Sequence, residues 1–158
     1  MIKVNARRRH GITIAEAAAT LSLLLPTMIA VSDVILESSQ AYLIKQSLAQ
    51  ANLTQANLEN AILTGANLEE ATLIDANMRY ANLNETNLRR SNLLGARMKG
   101  SLLRKADLTD SALESADMSY TDLTGASLQN ANLTNTDFSR AIWIDGRVCA
   151  PESIGACN

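Results

Sequence analysis

Residues 51–68 read ANLTQ ANLEN AILTG ANL, and the same phrase recurs with small changes as far as AIWID at 141–145. Every fifth position from Leu43 to Trp143 is apolar and large: Leu throughout, except for Met78, Met98, Met118, Phe138 and Trp143. Two residues before each such centre stands Ala, Ser or Thr, with Gln46 the one exception. Immediately before most centres stands Asn or Asp, as at Asn52, Asn57, Asn67, Asp107, Asp117 and Asp122. The two positions after each centre are mixed and polar. A period of five fits neither the 3.6 of an amphipathic helix nor the 2 of a strand. It requires a chain that turns a corner every five residues, with one large and one small residue facing inward.

Four such sides close a square coil of about 20 residues, and successive coils then pair backbone to backbone at about 4.8 Å. Residues 41–145 provide about five coils, an all-β solenoid roughly 25 Å tall at that spacing. Asn, Asp and Gly suit its corners, because they tolerate turn geometry and their side chains bond nearby backbone. Composition agrees with a uniform interior. Hydrophobic residues make up 47% of the 158, but aromatics only 3%, so the core is built without the usual aromatic bulk.

Units such as ANLTQ, ANLEN, ANLEE, ADLTD and TDLTG resemble the A(D/N)Lxx phrase of the pentapeptide-repeat family. That resemblance spans about two thirds of the chain and implies a right-handed quadrilateral β-helix that binds proteins and catalyses nothing. AYLIK, QSLAQ and AIWID depart most, at the two ends, where capping units are expected to be atypical.

A second period supports four sides. Centres taken every 20 residues give one column of Leu58, Met78, Met98, Met118 and Phe138, while the other columns are Leu apart from Trp143. Beside it runs an outward column of Asn60, Tyr80, Gly100, Tyr120 and Arg140. Met fills irregular gaps in a core; a binding groove along this face is the alternative.

The formal net charge is −2, too small for a general nucleic-acid binder and far from a polyanion. Along the axis the charge is banded. Glu59 to Asp75 holds four acids and no base, and Asp107 to Asp137 six acids and no base. Between them lie Arg79, Arg89, Arg90, Arg97, Lys99, Arg104 and Lys105 against Glu85 alone. This predicts a basic belt between acidic ends, either a solvated surface or a dock for an anionic partner. Arg97 stands where the repeat has Asn or Asp.

No catalytic, cofactor or metal site is expected. The repeats hold neither His nor Cys, and Asp107, Asp117, Asp122 and Asp137 occupy the repeat's own Asn/Asp position, so a corner role outweighs acid–base chemistry. Asn-Leu-Thr at 52–54 and 132–134 matches a glycosylation sequon only as a by-product of the repeat. His10 is the one histidine, and Cys149 and Cys157 the only cysteines, too few for zinc. The two cysteines are a disulfide or two idle thiols; a disulfide favours an oxidising compartment. The tail WIDGRVCAPESIGACN also resembles an ending with a cysteine pair found in some members of the family. A bonded pair would hold residues 146–158 as a cap over the last coil, near Trp143, leaving no open edge for another chain.

The N-terminus divides into a basic leader, 1–11, and a mostly apolar segment, 12–40, expected to be an α-helix. Three readings stand: a secretory signal or anchor, a helix capping the open coil, or a prepilin-like leader. RRRHGITIAE resembles the prepilin-peptidase motif, with Gly11 before the cut, Ile12 after it, and Glu16 at the fifth mature position. A glutamate in hydrocarbon needs a partner, and the resemblance to pilins implies one: the free N-terminal amine of a neighbouring subunit, here that of Ile12. The helix is short, Pro26 is unusually placed and the body is not a pilin head. The sequence thus points to a non-enzymatic, envelope-associated scaffold, exported or anchored in the inner membrane and facing periplasm or lumen. A membrane contact through the helix and an unnamed protein partner go with it. The alternative, implied by the resemblance to pentapeptide-repeat proteins, some of which resemble a DNA rod, is a cytoplasmic solenoid mimicking DNA on a topoisomerase, which the basic belt and the cysteine pair argue against.

Overall fold

The computed structural model describes residues 43–158; the leader, the apolar segment, and with them Gly11, Ile12 and Glu16, lie outside the described residues. From Leu43 onward, single bridge residues pair in parallel with the residue 20 further on. Four ladders result. Ser47, Asn67, Asn87, Asp107 and Ser127 form face 1; Asn52, Thr72, Asn92, Ala112 and Asn132 form face 2. Asn57, Asn77, Arg97, Asp117 and Asp137 form face 3, and Ile62, Asn82, Leu102, Asp122 and Ile142 form face 4. Each side is thus so short that only one residue per unit is bridged.

The backbone explains why. In each unit the chain reverses in a four-residue turn, as where the Ala51 N–H donates to the Leu48 carbonyl (3.1 Å). The residue two after the centre takes φ near +60°, whether it is Gln50, Glu70, Tyr80, Arg90, Lys105 or Asn130. Positive φ at the third turn residue is the requirement of a type II turn. The left-handed corner is therefore not at the Asn/Asp position, as expected from the sequence, but three residues further on.

The Asn and Asp residues have a different task. Of the five N–H groups in a unit, three donate to neighbouring coils, as Leu48 to Asn67 (2.7 Å), Gln50 to Glu69 (2.8 Å) and Asn67 to Gln46 (2.8 Å), and a fourth closes the turn. The fifth, just after the centre, has no carbonyl to reach. The Asn or Asp side chain two residues earlier accepts it: Thr54 N–H to Asn52 Oδ1 (3.1 Å), Arg89 N–H to Asn87 Oδ1 (3.1 Å), Ser139 N–H to Asp137 Oδ1 (2.8 Å). The repeat's polar position completes the backbone accounting.

Inside, Met78, Met98, Met118 and Phe138 are fully buried in one column above Leu58, as the 20-residue period requires, and Leu63, Leu83, Leu103 and Leu123 fill another. Burying one such side chain contributes about 1.5–3 kcal/mol. Small residues line the space between. Ser91, Ser111 and Thr121 hydroxyls donate to the carbonyls of Leu88, Leu108 and Met118.

After Trp143 the chain folds back. Val148 pairs antiparallel with Ile142 and Ile154 with Asp137, and Cys149 is bonded to Cys157 with the Cα atoms 4.9 Å apart. Trp143 meets Phe138 edge to face at 4.9 Å, closing that side of the core. This cap covers faces 3 and 4 only. The expectation that it leaves no open edge is corrected below.

Candidate functional site on face 3

The seven residues of the basic belt are not one surface. Arg89 and Arg90 leave face 1, Arg104 and Lys105 face 4, and Arg79, Arg97 and Lys99 face 3. Four of the seven are engaged with acids one coil away. Arg79 pairs with Glu59 (3.2 Å), Arg89 with Asp107 (3.2 Å), Arg90 with Glu70 (2.9 Å) and Glu69, and Arg104 with Asp122 (2.6 Å). The bands adjacent in sequence thus neutralise each other across coils. The pairings leave their mark on the acids. Asn77 and then Arg79 hold the Glu59 carboxyl below the usual range, and Gln50 with Arg90 do the same for Glu70. At Asp107 partial burial raises the pKa, but Thr109 and Arg89 outweigh it and the net is a lowering; Asp122 behaves likewise with Thr124 and Arg104.

Arg97, Lys99 and Lys105 have no ion-pair partner among the described residues. Two of them, Arg97 and Lys99, belong to the single unit ARMKG at 96–100 and both are exposed on face 3. Their position in that unit has a backbone consequence. With Arg97 in place of Asn or Asp, no acceptor remains for the Lys99 N–H, which has no partner among the described residues. Leu102 creates the same deficit at Arg104, but there Asn84 in the coil below accepts the N–H (2.9 Å). Below Lys99 stands Arg79, which cannot accept. The N–H groups two residues after Ile62, Thr72 and Ala112 likewise have no partner among the described residues. Among the described residues, only Arg97 puts a cation in the acceptor's place. One unit thus holds an exposed guanidinium, an exposed ammonium and an unpaired backbone N–H, donors of the kind that bind a carboxylate or phosphate.

Two tyrosines flank it. Tyr80 and Tyr120 are 57% and 54% exposed, and the Lys99 ammonium lies 5.3 Å from the Tyr120 ring centre, within cation–π range. Gly100 lies between them in the column. Its φ of +70° is ordinary for this corner, which non-glycine residues adopt throughout. What excludes a side chain is Tyr80: a Cβ on Gly100 would stand 2.7 Å from the ring. Tyr80 therefore lies flat over the Gly100 corner. This face carries a low aromatic shelf beside a cationic unit, over a fully buried methionine column.

Asp117, bridged to Arg97 from the coil above, is occupied by the N–H and hydroxyl of Ser119 (3.0 and 2.6 Å). Asp107, Asp122 and Asp137 likewise hold their own turns. No group of His, Cys, Asp and Glu among the described residues suits a metal ion, and no helix among them is long and apolar enough to cross a membrane. The freed N–H at Lys99 escaped the sequence reading, although the anomalous Arg97 signalled it.

The profile of pentapeptide repeats matches eight copies here, over residues 39–73, 51–90, 66–104, 81–119 and 106–142. The chain belongs to the pentapeptide-repeat family. Among solved structures it is similar to HetL, a pentapeptide repeat protein involved in heterocyst differentiation regulation in the cyanobacterium Nostoc sp. strain PCC 7120. The identity is 34% over 68% of this chain and 57% of HetL, with a TM-score of 0.53. The chain thus spans little more than half of HetL's length. A pentapeptide repeat protein of the Arabidopsis thaliana thylakoid lumen is 27% identical over 68% of this chain and 71% of its own, with a TM-score of 0.50. QnrB1, a plasmid-mediated fluoroquinolone resistance protein, matches at 19% identity over 65% of this chain and 61% of its own, with a TM-score of 0.48. No curated protein matches the chain.

Proposed function

We propose that this pentapeptide-repeat protein is a non-enzymatic scaffold that docks an acidic segment of a partner protein on face 3. The reading rests on one observation above all: Arg97 replaces the acceptor that the repeat places before its centres, so the Lys99 N–H, the Arg97 guanidinium and the Lys99 ammonium have no anion of their own. A merely solvated belt would need no such departure, since Arg89, Arg90 and Arg104 show that this fold readily supplies acids to its bases. The test is Arg97→Asn, which restores the repeat. It should raise stability by about 1 kcal/mol, the worth of one satisfied hydrogen bond, while weakening the binding of a Glu/Asp-rich decapeptide at least tenfold at low salt. Unchanged peptide affinity in this variant would remove the basis for the site.

The same reading places the scaffold outside the cytoplasm. Its supports are the bonded Cys149–Cys157 pair, a chemistry of oxidising compartments, and the prepilin-like run Gly11, Ile12, Glu16. Cleavage between Gly11 and Ile12 would leave a membrane-held helix with Glu16 placed to pair with a neighbouring subunit's amine, as in a minor filament component. N-terminal sequencing of protein from its native host should begin at Ile12. A start near Val31 or Tyr42 indicates an ordinary exported protein, and an intact Met1 in the soluble fraction defeats export. A gyrase supercoiling assay should show no inhibition.

A further inference from the structure

The last coil is capped on two sides and left unfinished on the other two. Throughout the solenoid, each coil offers upward the N–H of the centre, the N–H two residues later, and the carbonyl two residues before the centre. One coil down, Leu108, Asp110, Leu113 and Ser115 donate to Ser127, Gln129, Asn132 and Thr134, and the carbonyls of Ala106 and Ser111 accept from Ser127 and Asn132. At the top of faces 3 and 4 the returning tail meets the same demand: Phe138 donates to Ser153, Trp143 to Arg147, and Gly155 donates to the Thr136 carbonyl. At Gly155, whose Cβ position lies 3.5 Å from the Leu133 carbonyl, the tail borders face 2. Beyond it, the N–H groups of Leu128, Asn130, Leu133 and Asn135 and the carbonyls of Ala126 and Ala131 have no partner among the described residues.

Beneath this edge the core is also incomplete. Leu128, Ala131 and Leu133 are only partly buried, whereas the equivalents Leu108 and Leu113 are fully so. Sheet edges that must stay unpaired are usually blunted by charge or proline. This one is bordered by Ser127, Gln129, Asn130, Asn132, Thr134 and Asn135, without a charge or a proline, although the coil below carries Asp107, Asp110 and Glu114.

We infer that the edge from Ala126 to Asn135 is a second binding site, which accepts a segment of about ten residues from a partner protein as two further sides of the solenoid. The chemistry of the segment follows from the edge. Residues placed over Ser127 and Asn132 donate to the Ala126 and Ala131 carbonyls, and the segment's own carbonyls accept from the four orphan N–H groups. A large aliphatic residue must sit over each of Leu128 and Leu133, with a small residue two positions before each. The bend between faces needs one residue with positive φ, met by Gly or Asn. A straight strand satisfies one face only. A complete coil of a second copy meets the tail, which already occupies that level on faces 3 and 4. The occupant is therefore a bent, uncharged, repeat-like segment joining by strand addition, independent of the acidic dock on face 3.

Hydrogen exchange on the full chain tests this, with the uncharged peptide ANLTNANLTN, the chain's own unit 131–135 repeated, as probe. In the free protein the amides of Leu128, Asn130, Leu133 and Asn135 should exchange at least a hundredfold faster than those of Leu108, Asp110, Leu113 and Ser115. Saturating peptide should slow the four edge amides at least tenfold. The same peptide methylated on the backbone nitrogens of its two pre-centre asparagines should not, since it cannot donate to Ala126 and Ala131. Edge amides already protected in the free chain would overturn the proposal, because the chain then covers its own edge. Protection that rises with protein concentration alone would overturn it in favour of a second copy. So would edge amides indifferent to the peptide.

Discussion

Faces 1 and 3 are built from the same five-residue phrase and the same buried floor, yet the unit at 96–100 on face 3 treats its cations unlike the unit at 86–90 on face 1. On face 1, Asn67, Asn87 and Asp107 cap their turns, and Arg89 and Arg90 follow the centre, from where each reaches an acid in a neighbouring coil. On face 3 the cation at Arg97 precedes the centre, displaces the cap, and brings Lys99 with it into solvent. The difference teaches that position within the unit decides what a charge does. After the centre it can serve coil stacking, as at Arg79, Arg89, Arg90 and Arg104; before the centre, as at Arg97, it costs the backbone a partner.

The floor is the part the two faces share, so it bounds the comparison. Leu88→Asp on face 1 and Met98→Asp on face 3 should each cost several kcal/mol, since both positions are fully buried and an unpaired charge there has no compensation. A melting point within a few degrees of the parent for either variant would mean that the faces differ inside as well. The reciprocal exchange comes next. Asn87→Arg should lower stability by about 1 kcal/mol, by taking the acceptor from the Arg89 N–H and its own bond to Asn67, whereas Arg97→Asn should raise it by a similar amount. Equal signs in denaturant titrations would erase the distinction.

Acid separates the faces more gently. The Asp107 carboxyl titrates below its unfolded value. Its contribution is therefore complete above about pH 4 and is lost as pH falls through the depressed folded value. Asp107→Asn keeps the cap on Thr109 and should flatten that acid limb, by under about 1 kcal/mol because the pair is partly exposed and screened. Lys99→Gln should leave the limb as it was. The smallest effect concerns the shelf. Gly100→Ala must displace the Tyr80 ring and should therefore change tyrosine fluorescence.

Much of this was legible in the sequence, for a physical reason. A strict period of five with one large residue per unit leaves few ways to bury the leucines, so the four-sided stack and the inward column of Met78, Met98 and Met118 follow from counting. The corner was misplaced because Asn and Asp suit both turns and side-chain caps, and composition alone does not separate the two. The left-handed residue proved to be whichever polar residue came two after the centre, Gln50 and Arg90 included. Charge pairing was hidden for another reason. Arg90 reaches Glu70 and Arg104 reaches Asp122 across about one coil, so bands that look opposed along the chain are neighbours in space. The reach of the tail was equally hidden, since its antiparallel return over faces 3 and 4 obeys no repeat.

The 20-residue register of the bridges also sets a rule for how such a chain can change length. Removal of 20 residues shortens the stack and returns every later residue to its own side. Removal of five leaves each unit intact but carries everything beyond the cut a quarter of the way round the column. Loss of unit 81–85, for example, would keep the sequence of ARMKG and separate it from Tyr80, setting the two on adjoining sides. Insertions and deletions are then not merely tolerated or rejected. In steps of five they act as a rotary dial, re-aiming a preserved group of side chains without altering one of them.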